Sequence, residues 1–161
     1  MNACDIHPSF RHGKNFKIGK YVIIQEDCEV GDDVRIENFV LLKTGTKMGN
    51  NIYVDSYVRS SGINRIGNNV TIRFGSTIAR EVTVEDDVFI SPNVMTIYST
   101  HKGERKGGTV IGRGAFIGTN AVLGPGVRIG PGVVIGAMAF VTKDCLEPGI
   151  YVGIPARKLE R

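Results

Sequence analysis

Few side chains in this sequence are equipped for chemistry. There are three histidines, His7, His12 and His101, and three cysteines, Cys4, Cys28 and Cys145. An imidazole changes charge near neutrality, so it can take or release a proton under ordinary conditions. His101 stands directly before the stretch KGERKGGTV, which carries Lys102, Arg105 and Lys106. A histidine next to a cationic segment that interrupts a regular pattern is a candidate site. The same segment also reads as a tolerated surface insertion. The cysteines are odd in number and widely scattered, which makes neither a disulfide framework nor a zinc motif.

The elements that must position His101 follow from a repeat. Ile-Gly or Leu-Gly recurs at Ile117, Leu123, Ile129 and Ile135, always six apart. Six is neither the 3.6 of a helix nor simply the 2 of a half-buried strand. Stepping back by sixes from Ile90 to Ile18, every position is aliphatic or Met except Ser60, and the pattern resumes from Ile111 to Val141. The fourth residue after each is small or β-branched in most hexads, from Val22 to Val94 and from Ala115 to Cys145. Cys28 and Cys145 fall on this second set, so core filling is expected of them. Such a pattern fits short strands separated by bends, and an even count returns the same face inward. Gly, Asp-Asp and Asn-Asn between the apolar positions supply the bends. Strands of this kind wind into coils stacked about 4.8 Å apart, which is a solenoid.

The predicted organisation is a single all-β domain over residues 1–161, with hexads over 18–95 and 111–146 and a terminal cap over 147–161. His7 and His12 then fall in an irregular N-terminal segment. From Ile90 to Ile111 is 21 residues, not a multiple of six. Reading Thr96–His101 as a degenerate hexad restores the phase and leaves Lys102–Val110 as an excursion loop. His101 is then expected at the corner before that loop.

Composition narrows the classes. A chain of 161 residues can bury one core. The formal net charge of +4 suits anionic ligands such as phosphates but is too small and dispersed to argue for nucleic acid. No apolar run approaches the roughly 18 residues of a membrane span. MNACDIHPSFRHGK has no signal-peptide core. With no disulfide framework, a cytoplasmic protein without membrane or nucleic-acid partners is expected.

The hexad [IVL]-G-x-x-[VA]-x resembles that of the hexapeptide-repeat acyltransferases. The stretch VEDDVFISPNVMTIYSTH, followed by a loop and then VIGRGAFIGTNAVLGPGVRIGPGVVIGAMAFVTKD, resembles the maltose and galactoside O-acetyltransferases and the nucleotide-sugar N-acetyltransferases. The likeness covers roughly residues 66–158. It implies a left-handed parallel β-helix with three sides and 18 residues per coil, so residues 18–146 make about seven coils. The hand comes with the resemblance, since crossovers between parallel strands are otherwise right-handed.

The resemblance also implies an activity, acetyl transfer from acetyl-CoA to a hydroxyl or amine of a sugar or nucleotide sugar. His101 takes the position of that family's catalytic base. A general base is what such a transfer requires, because the acceptor must lose a proton as it attacks the thioester carbonyl. Small residues 18 apart stack along one edge, Gly118 on Gly136 and Thr119 on Ala137, leaving room for the pantetheine arm. Residues matching Thr119, Ala137, Thr142 and Lys143 contact coenzyme A in the relatives. Arg157 and Lys158, in the ending GIPARKLER, are candidates for its phosphates. A homotrimer with sites between chains is implied, and no metal. The acceptor-side asparagine of the relatives aligns near Thr71 or Phe74 and is absent here. Arg73 and Arg80 stand nearby as candidate contacts to an anionic acceptor or as solvated face residues. Two other functions share the fold. A γ-class carbonic anhydrase needs three histidines on zinc, and only His101 lies within the repeat. A non-catalytic scaffold would keep the hexads without needing His101 or Lys143.

Overall fold

The computed structural model describes residues 3–160. Its strands are two residues long, apart from Ile150–Val152, and one falls in each hexad from Asp5–Ile6 to Phe140–Val141. They form three parallel sheets of eight, seven and nine strands. We call these faces A, B and C. Face A begins at Asp5–Ile6, face B at Arg11–His12 and face C at Lys17–Ile18. Each strand pairs with the one a full coil away, so Ile23 lies opposite Leu41, Lys47 opposite Arg65, and Arg35 opposite Tyr53. The separation is 18 residues, as a three-sided coil of hexads demands.

Both inward sets are buried as the pattern predicts. The aliphatic set from Ile24 to Val141 and the small set from Val22 to Cys145 make one continuous core. Cys28 and Cys145 lie in it, and burial pushes both thiols above their ordinary range. They are poor nucleophiles in that state.

The bends have one recurring device. A positive φ falls on every sixth residue from Asn15 to Asn93, and again from Gly114 to Met138. Asn, Asp and Gly fill many of these corners, because their side chains or lack of one tolerate the left-handed region. Tyr21, Phe39 and Tyr57 also fill them, with φ of 57°, 58° and 63°. Aromatic residues are rare there. These three stack along one corner, with ring centroids 5.0 and 4.9 Å apart, and Phe74 meets Tyr57 edge-on. Stacking offsets part of the backbone cost.

Two expectations need correction. The N-terminal segment is not irregular, since Asp5–Ile6 and Arg11–His12 are strands in phase with the rest, and face A counts about eight coils rather than seven. His12 takes an aliphatic position, and Phe10 and Phe16 take the small ones. The reason is positional. Among the described residues no coil lies beneath the first one, so large rings can spread over that end, where Phe10, His12 and Phe16 cluster with centroids 4.8–5.8 Å apart.

The other end closes differently. The last coil is shorter, with Val134 opposite Ile150 and Ile129 bridged to Cys145. The chain then doubles back, pairing Ile150–Val152 antiparallel with Arg157–Lys158.

Candidate functional site

The excursion is not where the sequence suggested. In a regular hexad the small inward residue follows four after the aliphatic one. Here Thr96 is buried at the first position and Thr109 at the second, thirteen later, so nine residues are extra. Gly108, with φ of 80°, is the corner residue of the same hexad. The nine extra residues are therefore Tyr98–Lys106, and Val110 is back in a face B strand. They form a small hairpin. Lys106 donates its backbone N–H to Tyr98 O at 2.8 Å, Ser99 and Arg105 form an antiparallel bridge, and Thr100 donates to Glu104 O. His101 is consequently within the excursion, exposed at its turn, and not at the corner before it. Reading Thr96–His101 as a hexad failed because Thr100 and Thr109 are both threonines, and only three-dimensional closure picks the second.

A residue the sequence reading passed over holds the hairpin's root. Glu81 occupies the preceding coil's corner, with φ of 61°. Its carbonyl accepts the Gly108 N–H at 3.2 Å, and its carboxylate accepts the Tyr98 hydroxyl at 3.4 Å. A Cβ on Gly107 would collide with that carboxylate. The sequence signal was a glutamate where most other corners carry Asn, Asp, Gly or an aromatic, with Ile63 and Met138 the further exceptions.

Gly118, Thr119, Ala137, Thr142 and Lys143 lie on the two corners that flank face A, while Arg157 and Lys158 form the edge strand of face C. Thr119 and Ala137 are exposed and stacked, with Met138 N–H donating to Thr119 O at 2.9 Å. Two small side chains in line leave the edge open to an extended ligand. Gly118 does something else. It is buried, and a Cβ there would come within 2.5 Å of Ala137 N and 2.7 Å of the Gly136 carbonyl carbon. Coil-to-coil packing alone accounts for this glycine.

Thr142 and Lys143 sit on the other corner, which the hairpin shares. Gly126 lies 3.5–3.6 Å, at its absent Cβ, from atoms of Gly107 and Lys106, and Thr142 stacks on Gly124 one coil further. Lys143, Arg157 and Lys158 come together around a terminal hollow of about 230 Å³, with Asp144, Cys145, Tyr151 and Ala156. Arg157 donates to its neighbour's carbonyl, Ala156 O, at 2.8 Å, and Lys158 pairs with Glu147 at 3.0 Å. Among the described residues His101 lines none of five surface hollows, the roomiest of which is a groove on face B.

The two arginines near the acceptor-side positions are engaged elsewhere. Arg73 pairs with Asp55 at 3.1 Å and Arg80 with Glu81 at 3.6 Å. Thr71 points outward on face C, and Phe74 joins the aromatic corner.

Comparison with known proteins accords with this architecture. The family model of the GMPPB C-terminal domain matches residues 1–103, and the bacterial transferase hexapeptide (six repeats) matches residues 108–143. No curated protein matches the chain. Among solved structures, a UDP-N-acetylglucosamine acyltransferase from Campylobacter jejuni superposes with a TM-score of 0.81 at 19% identity, over 99% of this chain and 73% of that one. A variant of perosamine N-acetyltransferase from Caulobacter crescentus, in complex with CoA and GDP-perosamine, gives 0.52 at 19%, over 99% and 57%. Those two likenesses are of fold. A galactoside acetyltransferase in complex with coenzyme A gives 0.54 at 30% identity, over 68% of this chain and 58% of that one. The chain belongs to the GMPPB C-terminal domain family, whose model covers residues 1–103, and to the hexapeptide-repeat transferases through its hexads at residues 108–143.

Proposed function

We propose that this protein is an acetyl-CoA-dependent acetyltransferase acting on a hydroxyl or amine of a sugar or nucleotide sugar. The observation that carries the reading is the hairpin Tyr98–Lys106, which projects His101 from the corner that also holds Thr142 and Lys143. The two lie about 10 Å apart along the axis, two strand spacings from the hairpin's root. The matched galactoside acetyltransferase, which holds coenzyme A, supports it.

In this reading His101 accepts the acceptor's proton as its oxygen or nitrogen attacks the thioester carbonyl. The acetyl carbon–sulfur bond breaks, the thiolate leaves, and the proton ends on sulfur. Thr119 and Ala137 border the pantetheine arm, while Lys143, Arg157 and Lys158 face the phosphates. One solenoid supplies one wall, and excluding water from a thioester needs two. A homotrimer with each site between neighbouring chains supplies the second.

A non-catalytic scaffold is the second reading. It is favoured by one observation: among the described residues, no side chain hydrogen-bonds His101 to orient it. A catalytic imidazole ordinarily has such a partner, which in the first reading comes from the adjoining chain. Thiol release from acetyl-CoA across a panel of sugars and amino-sugar nucleotides tests the enzyme reading. Thermal shift with coenzyme A separates the two, since a native-state ligand raises apparent stability. No thiol release and no shift establishes the scaffold.

A further inference from the structure

A groove of about 600 Å³, roomier than the other hollows described, lies on the outer side of face B, lined among others by Lys47, Arg65, Thr83, Glu85, Asp86 and Arg113. It is of the size that small-molecule sites have. Its floor is the Lys47, Arg65 and Thr83 stretch of a longer column of outward side chains in strict register, which runs Arg11, Glu29, Lys47, Arg65, Thr83, Val110 and Arg128.

Charge along that column does not balance. Glu29 gives one oxygen to Arg11 at 2.8 Å and the other to Lys47 at 3.3 Å. Lys47 and Arg65 lie directly opposite each other on neighbouring strands, and like charges so placed repel. Arg65 has no carboxylate partner among the described residues. Among the described residues, its side-chain bonds run from Nη1 to the carbonyls of Gly45 and Asn64, at 3.1 and 3.2 Å. They fix the guanidinium and leave its remaining donors unused.

The acidic wall is already spoken for. Asp86 accepts from Asn68 N–H at 2.8 Å with one oxygen and from Arg113 with the other at 2.9 Å. Glu85 accepts the Arg113 N–H at 2.8 Å through Oε2. What remains in the groove is a fixed guanidinium, a shared ammonium, the Thr83 hydroxyl one strand away, and Glu85 Oε1. Gly49 and Gly67 keep the adjoining corner free of side chains.

We propose that this groove binds a phosphate monoester on a hydroxyl-rich small molecule, a sugar phosphate, with Arg65 as the anion contact. Guanidinium matches the planar spacing of phosphate oxygens and takes them two at a time. Lys47 adds a point charge. Thr83 and Glu85 Oε1 take the hydroxyls. The site does not depend on the acetyl-transfer reading, because it involves none of those residues.

The test is titration calorimetry of the full chain in phosphate-free buffer with glucose 6-phosphate, inorganic phosphate and glucose. Glucose 6-phosphate is expected to bind, inorganic phosphate at least ten-fold more weakly, and glucose not at all. Arg65→Met weakens glucose 6-phosphate at least ten-fold, and Arg65→Lys, which keeps the charge but not the fork, weakens it less. Glu85→Gln weakens glucose 6-phosphate while leaving inorganic phosphate unchanged. Should Arg65→Met fail to fold, Lys47→Met and Glu85→Gln decide, as neither disturbs the Arg65 bonds. No binding at millimolar glucose 6-phosphate overturns the proposal, as does equal affinity for inorganic phosphate. Wild-type affinity in folded Arg65→Met, or in both Lys47→Met and Glu85→Gln, overturns it as well.

Discussion

Asn64 donates its Nδ2 hydrogen to the carbonyl oxygen of Ala79, 2.6 Å away in the next coil and wholly inside the solenoid. The same side chain accepts from Ser60, whose hydroxyl also meets that of Thr46 at 2.6 Å. Ser60 is the one polar residue in the aliphatic set between Ile18 and Ile90, and these partners explain it. Ser60→Val restores the pattern on paper but strands the buried Asn64 Oδ1, while Thr46 keeps its bond to the Lys43 carbonyl, so the cost is about 1–3 kcal/mol. Urea unfolding is expected to show a lower midpoint with unchanged slope. A rise in midpoint would mean that the hydrophobic gain outweighs the network.

His101→Ala is expected to fold normally, because the side chain is exposed and engages no partner among the described residues. Coenzyme A affinity should persist while turnover drops about 10²–10⁴-fold, the contribution of a positioned general base. Near wild-type turnover in the folded variant removes the base from His101.

Ala137→Trp and Gly118→Ala form a pair with opposite signatures. The exposed Ala137 can carry an indole without disturbing the coil, so this variant keeps its melting temperature and loses coenzyme A. A methyl on Gly118 meets backbone of the next coil, so that variant loses stability by about 1–3 kcal/mol. Calorimetric melting with a coenzyme A titration reads both, and unaltered coenzyme affinity in folded Ala137→Trp moves the groove elsewhere.

Glu81→Ala frees the hairpin's root by removing the Tyr98 contact. Proteolysis within Tyr98–Lys106 should quicken while global unfolding changes little, since the hairpin lies outside the core. An unchanged cleavage rate would show that the backbone bonds alone hold it.

Acid sensitivity has a named contributor. The Asn68 backbone N–H, then Arg113, holds the Asp86 carboxyl below its ordinary value of 3.8. The unfolded chain binds that proton more readily, so the stabilisation is complete above the ordinary value and disappears as pH falls through the folded one. Asp86→Asn removes this titration, so its stability falls less steeply than wild type in that acid range. Parallel slopes would assign the acid loss to other carboxylates.

The repeat was legible because solenoid packing constrains one position in each short period so strictly. Eleven aliphatics and Met48 at the hexad positions from Ile18 to Ile90 say more than any motif. The first coil escaped because Phe10, His12 and Phe16 obey the geometry of an open end rather than that of an interior. The aromatic corner escaped for another reason: nothing in the types of Tyr21, Phe39 and Tyr57 announces a left-handed backbone, and their mutual stacking offsets part of its cost. The hairpin was detected as a phase error, with the right length and the wrong boundaries. Phase locates an insertion only to within the hexad that contains it. Gly118 illustrates the ambiguity of glycine, which reads alike whether it opens a groove or permits close packing.

The 18-residue register carries a consequence for how such a chain can vary. Removing six residues from the middle would leave every inward position filled, so the molecule could still close its core. Everything downstream would nevertheless be turned by a third of a revolution. Excising 124–129, for instance, would carry Thr142 and Lys143 round to a different side from the hairpin at Tyr98–Lys106, while excising a full coil would only bring neighbours closer along the axis. Foldability in this architecture is counted in sixes and chemistry in eighteens, so a lineage can drift through stable proteins whose side chains no longer meet.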